Sequence, residues 1–330
     1  MRHLAIVSLI SILSSPAAAQ EARVLKMPDG WVGAVAFSAD SSLFVAAADR
    51  TVHIVDFKEP TRKRVVAGHR DIIAAVAFAS KGQLLATGGY DHWARIVDLA
   101  NGKAHTLDQH GGAVMALAFS PDGKHLATGS IDARVILWDV ATGKPAQTLT
   151  NHWSWVNAVV FNKEGLLATG SSDNTVRLWR DQPPSPPLRK GGTQEPPPLA
   201  KGGWTEIAKF GFQEGEVRSL AFSPDGKTLV AGVRYGTIKI IDVAEQTVVS
   251  RKSHAADVWA VAFSPDGKTL ASGDGDWDRP GDVRLWDTTS WKEKQVLKTT
   301  GEVLSLAYSP DGRHLAAGCW DRTVHLWHTK

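Results

Sequence analysis

Ala113-Val-Met-Ala-Leu-Ala-Phe-Ser-Pro-Asp-Gly-Lys-His-Leu-Ala-Thr-Gly-Ser-Ile-Asp-Ala-Arg-Val-Ile-Leu-Trp-Asp139 is the stretch that decides the fold. Val114 to Phe119 is an apolar run of strand length. Ser120-Pro121-Asp122-Gly123 is a tight turn, with proline fixing φ and glycine accepting positive φ. Leu126 to Gly129 reads as a second strand, a turn centres on Asp132, and Val135 to Trp138 reads as a third. Ala146 to Leu149 supplies a fourth. Helical periodicity is absent throughout, so the unit is all-β.

The unit recurs. The aromatic that closes its first strand stands at Phe37, Phe78, Phe119, Phe161, Phe222, Phe263 and Tyr308. Most copies are about 40 residues apart, the period of a propeller blade. The expected fold is therefore all-β, a seven-bladed β-propeller of four-stranded antiparallel blades. The units resemble the WD-repeat family from about Val24 to Lys330. The resemblance rests on Gly68-His69, Trp138-Asp139 and Trp286-Asp287, with Trp179-Arg180 and Trp327-His328 as variants. Val55-Asp56, Val97-Asp98 and Ile241-Asp242 depart from the pattern by lacking the tryptophan. Lys330 follows the third strand of the last copy, so Arg23-Val24-Leu25-Lys26 is expected to supply its fourth. That would join both ends of the chain in one blade and leave no open sheet edge.

The 330 residues carry a net charge of +3, which gives no basic field of the kind that binds nucleic acid. Residues 1–19 read as a signal peptide. Met1-Arg2-His3 is a short positive start, Leu4 to Leu13 is apolar, and Ala17-Ala18-Ala19 is a cleavage site before Gln20. The expectation is export across the inner membrane to the periplasm, with residues 20–330 as the propeller and no membrane insertion after signal removal. Cys319 is the single cysteine, so no internal disulfide can form; it reads as a small buried hydrophobe in a strand from Leu315.

The family resemblance implies a hydrogen-bonded tetrad in well-formed blades: His before the first strand, Ser or Thr in the second, Asp in the next turn, Trp in the third. Blade three matches at His110, Thr128, Asp132 and Trp138, and blade four at His152, Thr169, Asp173 and Trp179. Blade six matches at His254, Ser272 and Trp286, with Asp276 as its acid. Blade two keeps His69, Thr87 and Asp91; blade seven keeps Asp321 and Trp327. A Ser/His/Asp set invites a hydrolase reading, but an active site occurs once and this set recurs. With no H-E-x-x-H, no G-x-S-x-G and no phosphate-cradling loop, the chain reads as a non-enzyme without a required cofactor.

Two insertions interrupt the period. Residues 182–203 hold seven of the 16 prolines and a near-duplicate, Pro187 to Gly192 and Pro198 to Gly203. This segment should be extended and solvated, and it reads as a tolerated insertion. The second is Asp274 to Asp282 in blade six. Its Asp274, Asp276, Asp278 and Asp282 resemble a calcium loop, although Leu285 stands where such a loop ends in Glu.

In the WD-repeat arrangement the top face is built from residues flanking the first-strand Val or Ile and from those before the turn Asp. Those positions hold Trp31, Ile72, Tyr90, Met115, Trp155, Asn157, Arg218, Arg234, Trp259 and Trp320. Trp, Tyr and Arg dominate binding hot spots. The expected function is a protein–protein interaction scaffold or accessory subunit of an exported complex, working through this face. The alternative is a small-ligand or enzymatic propeller using the axial channel, whose mouth would carry Glu216, Asp257 and Glu302.

Overall fold

The computed structural model describes residues 22–329, apart from 28–29, 57–62, 81–82, 183–202, 214 and 277–278. The signal-peptide reading, most of the Pro-rich insertion and Asp278 therefore lie outside the described residues. Seven four-stranded antiparallel sheets are formed, six of them from four consecutive strands. Their innermost strands are Val32–Phe37, Ile73–Phe78, Val114–Phe119, Val156–Phe161, Val217–Phe222, Asp257–Phe263 and Val303–Tyr308. They define blades one to seven.

Blade seven is completed by Arg23–Lys26, which pairs antiparallel with Thr323–His328 in the register Arg23↔Leu326 to Lys26↔Thr323. The blade shared by both ends is thus present as expected. In blade three the strands run Val114–Phe119, His125–Ser130, Val135–Asp139 and Pro145–Leu149. The sequence boundaries hold to within one residue.

The turn chemistry is local and repeats. Ser120 Oγ donates to Asp122 at 2.6 Å, and the Gly123 N–H donates to the Ser120 carbonyl at 2.9 Å with Gly123 at φ 74°. Ser223, Ser264 and Ser309 make the same Ser–Asp bond, each at 2.6 Å.

Neighbouring blades interlock through the small residue of the second strand. A Cβ on Gly129 would lie 2.7 Å from Val156, which opens the next blade; Gly88 faces Val114 at 2.7 Å and Gly170 faces Val217 at 2.5 Å. The same fit closes the ring, where Gly318 of blade seven lies 2.8 Å from Val32 of blade one by that measure. Each motif therefore has divided duties. In Leu126-Ala127-Thr128-Gly129, Leu126 and Ala127 are fully buried, Thr128 serves the polar tetrad, and Gly129 admits the next blade. Cys319 is buried as expected, and burial pushes its thiol up to about 12.

In blade four, Thr175–Gln182 pairs with Gly203–Gly211 out to Gln182↔Gly203. The two residues taken as the limits of the Pro-rich insertion are thus strand residues and cross-strand partners. The two strands of this extended hairpin run right up to both ends of the insertion.

Candidate functional site: the propeller mouth

Every innermost strand is interrupted after its first Val or Ile. The pairing register with the second strand skips one residue in all seven blades: Gly33, Ala74, Met115, Asn157, Arg218, Trp259 and Leu304. These are β-bulges, which leave the extra residue unpaired and re-aim its side chain. All seven line one cavity of about 830 Å³ at the top of the ring. That volume is in the range of a ligand or peptide site.

Nine of the ten residues expected on the top face line this cavity: Trp31, Tyr90, Met115, Trp155, Asn157, Arg218, Arg234, Trp259 and Trp320. Ile72 does not. It is half-buried, its carbonyl accepts from the Tyr90 N–H, and the bulge residue Ala74 fills blade two's place in the wall. The wall also contains residues the sequence reading passed over, among them Tyr235, Ala255, Ala256 and Leu304. Leu304 could have been found by applying the bulge position to every blade alike. Tyr235 could not, because it comes from a three-residue 3-10 turn, Arg234–Gly236, found in blade five in place of an Asp turn.

The aromatic walls are ordered against each other. Trp31 and Trp320 stack at 4.1 Å across the boundary of blades one and seven. The Arg218 guanidinium lies 4.5 Å over Trp259, and Arg234 lies 5.1 Å over Tyr235. Trp155 is 52% exposed and Tyr235 59%, while Trp153, two residues before Trp155, reaches 73%. Asn157 is held by its amide, which donates to Ser172 Oγ and to the Val217 carbonyl, both at 2.9 Å.

Charges meet here too. Arg218 pairs with Glu216 at 2.9 Å and Asp257 at 3.5 Å; Arg234 pairs with Glu216 at 3.0 Å and Asp257 at 3.7 Å. Two of the three acids expected at the channel mouth are therefore neutralised within the chain. Glu302 lies outside that set. Its burial and the charge of Asp276 push its carboxyl above the usual range, against opposing effects that include Arg218.

The tetrads lie away from the mouth, inside the blades. In blade three His110 Nδ1 is 3.0 Å from Asp132, and Thr128 Oγ1 is 2.8 Å from both His110 Nε2 and Trp138 Nε1. Blade four repeats this with His152–Asp173 at 2.8 Å, His152–Thr169 at 2.8 Å and Trp179–Thr169 at 2.9 Å. Burial would raise the Asp132 and Asp173 carboxyls. Hydrogen bonds, first from His110 and His152, outweigh it and hold both well below the usual carboxylate range.

Blade six corrects one assignment. His254 and Trp286 each lie 2.7 Å from Ser272, but the acid is Asp274, not Asp276. Asp274 is 3.2 Å from His254 Nδ1, although that nitrogen falls outside hydrogen-bond geometry. The second strand runs on to Gly275 in this blade, so the tetrad acid sits in the strand and the inserted loop follows it.

Three of the four acids of the calcium-like loop, Asp274, Asp276 and Asp282, lie among the described residues. Asp274 also accepts from the Asp282 N–H at 2.7 Å, Asp282 pairs with Lys298 at 2.8 Å, and Asp276 stands on the mouth. Among the described residues no group of three or more His, Cys, Asp or Glu is placed to hold a metal ion.

Comparison with known proteins agrees with this architecture. The profile of the WD domain, G-beta repeat, matches residues 20–56, 60–98, 102–139, 143–180, 245–287 and 291–328. That of the anaphase-promoting complex subunit 4 WD40 domain matches residues 201–265, which span the remaining blade. A chromatin assembly factor 1 subunit of Schizosaccharomyces pombe is 30% identical over 107 residues, 32% of this chain and 20% of that protein. A guanine nucleotide-binding protein beta-subunit-like protein of Encephalitozoon cuniculi is 32% identical over 95 residues, 28% of each chain. The alignments span less than a third of either relative. Repeat matches over most of the sequence, together with seven blades in a closed ring, make this chain a member of the WD-repeat, or G-beta repeat, propeller family.

Proposed function

We propose that this chain is a non-catalytic scaffold or accessory subunit that docks a protein partner on the mouth of its propeller. Propellers of this family generally act as protein-interaction scaffolds, and the two relatives bear the names of a subunit and of a subunit-like protein. The observation that carries the reading is the bulge series. One residue from each blade is turned into a single cavity, and aromatic and arginine side chains surround it. Such residues, set in a concave and partly apolar surface, are what binding hot spots are made of. A non-catalytic role is supported by the His–Thr–Asp sets, which recur, are buried and end on tryptophan N–H groups. The alternative, a ligand or catalytic site in the axial channel, would rest on Glu216, Asp257 and Glu302, of which the first two are already paired with arginines.

Pull-down from the native organism with the wild-type chain and a Trp155→Ala/Trp259→Ala variant tests the reading. A specific partner should be captured by the first and lost from the second, with both chains melting alike. A partner retained by the double variant would place binding elsewhere. We also propose that the protein is exported and acts in the periplasm, on the strength of Met1 to Ala19. Chain recovered from a periplasmic fraction should begin at Gln20 on N-terminal sequencing; a cytoplasmic chain retaining the leader would refute export.

A further inference from the structure

The charge at the mouth is uneven. Arg218 and Arg234 are taken up by Glu216 and Asp257 in a closed set of two cations and two anions. Glu302 is left over. It is 6% exposed, it lines the cavity, and among the described residues no Lys or Arg forms an ion pair with it. Its stem lies against bare backbone, since a Cβ on Gly275 would fall 2.5 Å from Glu302 Cγ. Substitution at Gly275 would therefore dislodge it. Burial, with the Asp276 and Asp257 charges, pushes its carboxyl up against the opposing effects of Trp259 and Arg218. The Trp259 indole N–H is buried and, among the described residues, finds no partner within hydrogen-bond geometry, although it is near enough to Glu302 to favour the carboxylate.

Next to this acid the wall is aromatic. One guanidinium, that of Arg218, already lies on Trp259, so the wall accepts a planar cation over an indole face. An anionic ligand would need Arg218 and Arg234, both committed to carboxylates. A wholly apolar occupant would bury Glu302 further with nothing to neutralise it, which is unfavourable. A cation on an aliphatic stem meets both demands: its stem packs on the apolar wall and its head meets the carboxylate.

We propose that the mouth takes one basic side chain, arginine or lysine, from a peptide segment of the partner, seated between Glu302 and the Trp259 wall. This rests on the docking role argued above. Random octapeptides displayed on phage and selected on the purified full chain would test it. The selected peptides should share one arginine or lysine. Replacing that residue in the synthetic peptide by its neutral isostere, citrulline or acetyl-lysine, should weaken binding about tenfold or more, as should Glu302→Gln in the protein. The peptide-side exchange leaves the protein untouched, so a folding defect in the variant cannot imitate the result. Exchanging arginine for lysine in the peptide separates the two cations. Peptides that lose binding to Trp155→Ala yet tolerate the neutral isostere would leave the docking role standing and overturn the cation. Recovery of no peptide, or only of peptides indifferent to both Trp155→Ala and Glu302→Gln, would overturn both.

Discussion

At the scale of single residues, the polar side chains inside the blades work as a chain in which each member satisfies the next. Thr128 is the hinge of one such chain, with His110 and Trp138 both 2.8 Å from its hydroxyl. Thr128→Val keeps the shape and strips two buried nitrogens of their partner. A loss of about 2 kcal/mol or more is expected in denaturant unfolding, since each orphaned buried polar group costs about 1–3 kcal/mol. Thr87→Val should cost less, because blade two has Val97 in the tryptophan position and only His69, at 2.7 Å, depends on Thr87. Acid sensitivity belongs to the same scale. Burial holds His69 and His325 below the ordinary histidine range, so both release protons on folding. A depressed folded pKa stabilises fully above the unfolded value, near pH 6.5 for histidine, and the gain fades as pH falls. The melting temperature should therefore drop between about pH 7 and 5. The tetrad acids Asp91, Asp132, Asp173 and Asp274, all depressed, should add a second loss below about pH 4. His325→Gln should flatten the upper step; an unchanged slope there would remove His325 from the account.

At the scale of elements, the outer strand of blade seven is the most exposed commitment in the ring. Arg23–Lys26 covers Thr323–His328, and Met27 continues the contact through its N–H to the Arg322 carbonyl at 2.8 Å. Removing the chain through Lys26 bares that edge, so lower stability and concentration-dependent association are expected by light scattering. An equally stable monomer would show that the strand is dispensable. The hairpin of blade four makes the opposite case. Gln182 and Gly203 are already cross-strand partners, so replacing residues 183–202 by Asn-Gly should leave unfolding within about 1 kcal/mol of wild type. These elements were readable because turn and strand signals alternate without ambiguity: the Ser-Pro-Asp-Gly turns and the Arg23–Lys26 strand stand where the sequence puts them. The blade-six acid was not readable. Counting residues to the turn points to Asp276, but the second strand continues to Gly275 and brings Asp274 to His254 instead. Local pattern cannot say how far a strand runs when its partner, Asp282–Asp287, starts late.

At the scale of the whole molecule, the mouth was legible as a set of positions but not as a shape. The rule that finds Met115 and Arg218 also finds Gly33, Ala74 and Leu304, whose small or aliphatic side chains carry no binding signature of their own. Tyr235 escaped because blade five replaces the usual turn with a 3-10 turn at positive φ. The ring itself depends on repeated contacts between neighbours, Gly129 on Val156 and finally Gly318 on Val32, and some bulge residues join them: Asn157 donates to the Val217 carbonyl at 2.9 Å and Arg218 lies 4.5 Å over Trp259. The glycines that admit the next blade and the bulge residues that line the mouth thus occupy different positions of the same repeat. Enlarging the side chain at Gly33 would press on the next blade, since a Cβ there would lie 3.2 Å from the Ile73 carbonyl oxygen. The seven bulge positions hold Gly, Ala, Met, Asn, Arg, Trp and Leu, so the regular backbone of the ring is not matched by regular side chains at its rim.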